Sequence, residues 1–209
     1  MIRRDESEQH FTRRLEAFSD IVIGFSLAQL GAALVVSPKG LHDFLTPSGL
    51  LNFLFPFAIV CSAWFFHHRL FSQLFIPKTW PVVLNFLWLA TVVMVVFSAE
   101  AYTKLGTLPA MRFYFACYAM VYALLTVQYL IALKYASARQ VPAARLRAVR
   151  GAVFMGLWTI PFLFALAVIL IFDPGPVYML IAAGFIVAGP ISSILRKRFD
   201  AAEAGLQTA

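Results

Sequence analysis

The side chains with the most chemical potential are two adjacent histidines and two charges beside the first apolar run. His67 and His68 are the best candidates for metal ligands. Adjacent residues of a helix point about 100° apart, however, so they do not easily bind one ion together. Arg14 and Asp20 lie where polar sequence meets apolar sequence, and a charge at that depth is costly unless it is paired or faces a cavity. The sequence therefore predicts no metal site, and it predicts partners for Arg14 and Asp20.

Motifs that carry out catalysis are missing from the sequence. It contains no HExxH, no GxSxG, no Gly-rich phosphate loop and no Cys-x-x-Cys. Within the apolar runs, acidic residues occur near the ends, at Asp20 and Glu100, and none lies in the middle. We therefore predict that the protein is not an enzyme, has no catalytic residue and uses no cofactor.

The elements that position these residues are long apolar runs. Hydrophobic residues make up 61% of the chain and charged residues 13%, against roughly 25% charged in a typical soluble domain. Because a bilayer requires about 20 consecutive apolar residues per helix, the composition favours a polytopic all-α membrane protein. We expect a single six-helix transmembrane domain over residues 1–209, with helices near 17–36, 50–75, 80–102, 111–136, 151–172 and 175–195.

The distribution of lysine and arginine predicts the orientation in the membrane. Of the 17 lysines and arginines, all but Lys39, Lys104 and Arg112 fall on one side of this topology. Short loops rich in these residues favour the cytoplasm, so both termini are expected there. The net charge of +7 then follows from topology and from attraction to anionic lipid headgroups. We expect membrane lipids as partners and no binding of nucleic acid.

The start of the first run allows two interpretations. Ser19 or Asp20 could cap a helix start by accepting backbone N–H bonds. Alternatively, Arg14, Phe18, Ser19 and Asp20 fit the pattern RxxxFSD, and in this position that pattern resembles the motif of the transmembrane protein 175 family. This family comprises the endolysosomal potassium channel and its bacterial relatives. The segment from Trp64 to Phe71, which contains His67 and His68, and Asn85 in the third run are also similar to that family.

The resemblance implies a homotetrameric cation channel with a pore lined by the first helix of each subunit. The expected permeant ion is potassium, and the expected location is the bacterial inner membrane. A hydrophobic constriction would replace a carbonyl filter, and the chain contains no TVGYG sequence. The resemblance further implies that Arg14 and Asp20 are structural anchors. Their expected partners are Trp64, His67 or His68, and Asn85.

The same resemblance assigns pore positions on the first helix. They are Phe25, Ala28, Gln29 and Ala32, where the family usually has isoleucine or leucine, threonine or serine, and leucines. The chemistry of these positions differs from the family pattern. The alternative to a potassium channel is therefore a non-conducting or proton- or other-cation-selective relative that acts as a membrane scaffold or sensor.

The residues themselves leave two interpretations of this helix face open. Gly24, Ala28 and Ala32 recur every four residues, a spacing that lets membrane helices approach closely and predicts a packing seam without a pore. The other interpretation places Phe25, Gln29 and Ala32 or Ala33 around a central axis. A lone amide at mid-membrane needs a partner, and a symmetric ring of Gln29 side chains would supply one, so Gln29 favours the second interpretation. A partner on a neighbouring helix would satisfy Gln29 equally well.

Overall fold

The fold consists of long α-helices. The computed structural model describes residues 5–35, 46–171 and 177–208, and within these ranges the backbone forms six helices and no strand. The helices are α1 Glu6–Val35, α2 Pro47–Gln73, α3 Thr79–Leu105, α4 Leu108–Ala138, α5 Pro142–Ile171 and α6 Val177–Thr208. The prediction of an all-α protein with six helices is confirmed. Ala33 lies in α1, but its side chain is outside the described set.

Five of these helices, α1 to α5, are long and apolar enough to cross a membrane. Each exceeds the roughly 20 residues that a hydrocarbon core requires. The described part of α6 is not among the five. The length and composition of α1 to α5 agree with a polytopic integral membrane protein.

Several helices extend beyond the apolar runs that reveal them in the sequence. The helix α1 begins at Glu6, and its first turn is capped by Asp5, whose carboxylate accepts a 2.7 Å hydrogen bond from the Glu8 amide. This hydrogen bond lowers the pKa of the Asp5 carboxyl group. The interpretation of Ser19 or Asp20 as a cap is therefore wrong, because both lie well inside α1.

The helix α4 is at the centre of the subunit. It packs against α2, α3 and α5, and its buried aromatic side chains Phe115, Tyr118 and Tyr122 belong to the main hydrophobic core. The helix α1 is peripheral by comparison, since its contacts with the described helices are to α2 and α3. One face of α1 is therefore left without a neighbour in this part of the chain.

The bundle has a basic end, which holds the starts of α1, α3 and α5 and the ends of α2, α4 and α6. There, Arg147 and Arg150 of α5 form 2.6 Å ion pairs with Glu203 and Asp200 of α6. At the opposite end, Arg112 of α4 donates a 3.2 Å hydrogen bond to the carbonyl oxygen of Ile169, near the end of α5. That carbonyl belongs to the last turn of α5, where helical carbonyls lack an intrahelical donor.

A glycine of α5 brings three helices together near the basic end. The Tyr129 ring of α4 lies directly against Gly151, where a Cβ atom would overlap the ring. From this position the Tyr129 hydroxyl donates a 2.8 Å hydrogen bond to the carbonyl oxygen of Phe66 in α2. Gly151 therefore permits the contact that joins α4 to α2.

We predict that Gly151→Ala displaces the Tyr129 ring and lowers the free energy of unfolding by about 1–3 kcal/mol, the usual cost of overpacking. Gly156→Ala on the same helix is the matched control, because the nearest atom to its added Cβ is 4.0 Å away. SDS-induced unfolding in detergent micelles measures both variants. Equal stability of the two would contradict the assigned role of Gly151.

Candidate functional site

Three buried polar side chains join α1, α3 and α2. The Ser19 hydroxyl of α1 donates to the Leu15 carbonyl at 2.8 Å and accepts a 3.2 Å hydrogen bond from Asn85 Nδ2 of α3. Asn85 Oδ1 lies 2.7 Å from His67 Nε2 of α2. All three side chains are fully buried. We call Ser19, Asn85 and His67 the polar relay.

The donors and acceptors of the polar relay follow one direction. The Ser19 hydrogen is used on its own helix, so the Ser19 oxygen serves as the acceptor for Asn85. The Asn85 oxygen can only accept, so His67 donates from Nε2. The Asn85 amide thus forms hydrogen bonds to one side chain on each of two other helices.

Aromatic rings hold His67 in place. Its imidazole is stacked on Trp88 of α3, with ring centroids 4.2 Å apart and planes 5° apart, and it also packs against Phe71 at 4.4 Å. Both rings are fully buried. His67 is therefore an interior helix contact with no solvent-accessible surface for an ion.

Two further polar contacts link α1 to α2 beside the relay. Trp64 Nε1 donates a 2.8 Å hydrogen bond to Asp20 Oδ1, and Glu16 Oε1 lies 3.0 Å from His68 Nδ1. The Trp64 and His68 rings stack with centroids 5.9 Å apart. Glu16 and Asp20 are one helical turn apart, so the two contacts form successive rungs between the same helices.

The structure therefore gathers most of the predicted anchors and leaves one apart. Phe18 contacts Phe86 of α3 edge to face at 6.0 Å. Arg14, for which we expected a partner, is exposed and forms no hydrogen bond or ion pair with the described residues. The reason is helix geometry, because Arg14 lies on the face of α1 opposite Ser19.

Sequence reasoning missed two members of this arrangement. Glu16, rather than Arg14 or Asp20, is the partner of His68. Its position four residues before Asp20 was the available signal, since that spacing places both carboxylates on one side of α1. Trp88 gave no comparable signal, because an apolar run does not reveal which ring packs on a particular side chain.

The outer face of α1 carries a continuous exposed row, which we call the α1 stripe. Its residues recur at alternating intervals of three and four, with Gln29 beside them. The α1 stripe consists of Phe11, Arg14, Phe18, Ile21, Phe25, Ala28, Gln29 and Ala32. Phe25 is 72% exposed and Ile21 is 69% exposed. The polar relay on the opposite face keeps this row exposed, and Phe18, at its edge, also touches Phe86 of α3.

The small residues of α1 have no tight neighbour among residues 5–35, 46–171 and 177–208. A Cβ atom added to Gly24 would meet nothing within 4 Å, and Ala28 and Ala32 are exposed. Gln29 is also exposed and forms no hydrogen bond with the part of the chain that the structure describes. A packing seam along Gly24, Ala28 and Ala32 would therefore need a partner outside the described residues.

Part of the chain that contains these helices matches a known protein family. Residues 14–95 match the family model of the endosomal/lysosomal potassium channel TMEM175. The predicted resemblance to this family is confirmed over that segment. The TMEM175 match begins at Arg14 and ends at Val95 of α3, so it contains the polar relay and most of the α1 stripe.

The TMEM175 match covers less than half of the 209 residues, and α4 to α6 lie outside it. No curated protein and no solved structure matches the chain. The three helices that carry the candidate site are thus the ones that the TMEM175 family describes.

We predict that Asn85→Ala destabilises the protein, because it removes the partner of the His67 Nε2–H group and one of the two partners of the Ser19 hydroxyl, which keeps its bond to the Leu15 carbonyl. The orphaned His67 donor alone should cost about 1–3 kcal/mol. Asn52→Ala on α2 is the control, because Asn52 is exposed. Thermal unfolding in detergent measures both variants, and an Asn85→Ala protein as stable as the control would show that the relay contributes no stability.

Proposed function

We propose that the protein is a passive cation channel, with potassium as the permeant ion, formed by four copies that place α1 around a central pore. The supporting observation is the α1 stripe, in which Arg14 and Gln29 share one exposed face with Phe25. The TMEM175 match supports a potassium channel family member. The proposed function requires no catalytic residue, bound metal or cofactor.

The composition of the α1 stripe argues for an axis between subunits rather than for lipid. Exposed phenylalanine alone would be compatible with lipid contact. An amide such as that of Gln29 is costly when it faces hydrocarbon, whereas a water-filled cavity or a ring of symmetry mates satisfies it. Alternating intervals of three and four residues are also the spacing with which helices associate along a seam.

The proposed pore would have distinct chemistry at different depths. Arg14 lies nearest the basic end, and Phe25 follows about 16 Å further along the helix at 1.5 Å per residue. Four Phe25 rings would form a dry constriction that opens by rewetting. Gln29, about 6 Å beyond, would place amides next to a passing ion.

The polar relay would hold the pore-lining helix in position from the face opposite the pore. Ser19 lies on the face of α1 that meets α2 and α3, and its bond to Asn85 restricts rotation of α1 about its own axis. Asp20 and Glu16 add two contacts to α2. These anchors would keep Phe25 directed toward the axis, so that ions pass along the α1 stripe.

The alternative function is a non-conducting relative, or one that passes protons or another cation, acting as a membrane scaffold or sensor. The observation that favours it is the chemistry of the α1 stripe, where Phe25 is bulky and Ala28 has no hydroxyl group. Such a protein would keep the fold and the polar relay without an open potassium path.

For the orientation, we propose cytoplasmic termini in a bacterial inner membrane. The excess of lysine and arginine at the basic end supports this placement. Arg14 would then lie at the cytoplasmic mouth of the pore.

We predict that Phe25→Ala raises potassium flux several-fold in liposomes that contain the purified full-length protein, because it widens the dry constriction. Phe97→Ala is the matched control, since Phe97 on α3 is 65% exposed but lies off the α1 stripe. Sodium, caesium and proton fluxes are measured beside potassium. Absence of flux of any ion from wild type and Phe25→Ala, despite a verified tetramer, would reject the channel in favour of the scaffold.

We also predict that Ala28→Thr increases the potassium-to-sodium permeability ratio, because it adds a hydroxyl ring at a position where the family usually has one. Ala58→Thr on α2 is the control, since Ala58 is exposed outside α1. Reversal potentials under a potassium–sodium gradient give the ratio. An unchanged ratio in Ala28→Thr would show that this position does not face the permeant ion.

A further inference from the structure

A cleft at the basic end is lined by arginines from three different helices. It lies between α2, α4, α5 and α6 and encloses about 50 Å³. This volume exceeds the roughly 10–15 Å³ that one water molecule needs, so the cleft has room for a small chemical group. Its arginines are Arg69 of α2, Arg147 and Arg150 of α5, and Arg196 of α6. We call it the arginine cleft.

The charges of the arginine cleft are only partly balanced. Arg147 is paired with Glu203 and Arg150 with Asp200. Arg69 and Arg196 have no carboxylate within ion-pair distance among the described residues. Four guanidinium groups therefore face two carboxylates, and the cleft retains an excess of positive charge.

The surroundings of the cleft strengthen its attraction for an anion. The side chains of Arg147 and Arg150 are 27% and 15% exposed, so they are largely removed from solvent screening. Aromatic rings of Phe65, Phe66 and Tyr129 form part of the wall. Arginine is suited to such a site because its planar fork matches the oxygens of a phosphate group.

The position of the cleft favours a phosphate carried by a lipid. Arg69 and Gln73 belong to the last turns of α2, a helix able to span the membrane, so the cleft lies where hydrocarbon gives way to headgroups. Phe65, one turn before Arg69, is 50% exposed and offers an apolar surface for an acyl chain. Basic pockets between transmembrane helices are known headgroup sites.

We propose that the arginine cleft binds the phosphate of an anionic phospholipid, with Arg69 and Arg196 as the residues that supply its uncompensated charge. This site is separate from the α1 stripe and does not depend on conduction. It adds a defined lipid site to the protein.

The test is retention of phosphatidylglycerol against phosphatidylcholine by the full-length protein in detergent, measured by native mass spectrometry. Wild type should retain phosphatidylglycerol preferentially, and Arg69→Gln and Arg196→Gln should each reduce this preference about tenfold, since a charge-assisted hydrogen bond of typical strength is lost. Arg198→Gln is the matched control, because Arg198 is exposed on the same helix as Arg196 but does not line the cleft.

Three outcomes would overturn the proposal. One is equal retention of the two lipids by wild type, which decides the matter even if Arg69→Gln does not fold. A second is an equal loss of preference in Arg196→Gln and Arg198→Gln, which would indicate only general surface charge. The third is complete displacement of phosphatidylglycerol by millimolar inorganic phosphate, which would assign the cleft to a soluble phosphate instead.

Discussion

The amide of Asn85 is the contact on which the arrangement of the first three helices depends. It donates to Ser19 of α1 and accepts from His67 of α2, and its own helix, α3, packs against both of these helices. Inside a membrane no water can replace a lost hydrogen bond, so without the Asn85 amide the His67 Nε2–H group would have no partner and Ser19 would keep only its bond to the Leu15 carbonyl. The amide therefore restricts the rotation of α1, together with the contacts that Glu16 and Asp20 make with α2.

This rotation divides α1 into two faces with different demands. Ser19, Ile23 and Leu30 are buried against the rest of the subunit. Phe25 and Gln29 of the α1 stripe are exposed on the other side of the helix. One helix can in this way be firmly anchored and still leave a continuous surface for a symmetric neighbour, a combination suited to a helix that lines an axis.

The helices were well predicted from the sequence, because an apolar run of about 20 residues satisfies its backbone within a bilayer most readily as an α-helix. The start of α1 at Glu6 and the start of α5 at Pro142 were not predicted, since hydropathy reveals only the part of a helix that meets lipid. Beyond the lipid, polar residues that favour helix continue the same element.

The candidate site was only partly predictable for a different reason. Ser19, Asp20, Trp64, His67, His68 and Asn85 could be selected from their types and from the motif, but the pairing among them depends on how three helices are set against each other. Periodicity within one helix contains no information about that relative position. The exposed position of Arg14 could have been predicted from the sequence, because its spacing from Phe18, Ile21 and Phe25 puts all four on one side of a helix.

The two ion pairs between α5 and α6 differ in their sensitivity to ionic strength. The Asp200 side chain is 57% exposed, so dissolved ions weaken its attraction to Arg150. In the Arg147–Glu203 pair the side chains are 27% and 23% exposed, so screening acts on this pair less strongly. Salt would thus weaken one of the two ion pairs that hold α6 at the basic end while the other persists, so that α6 stays attached to α5 at high ionic strength.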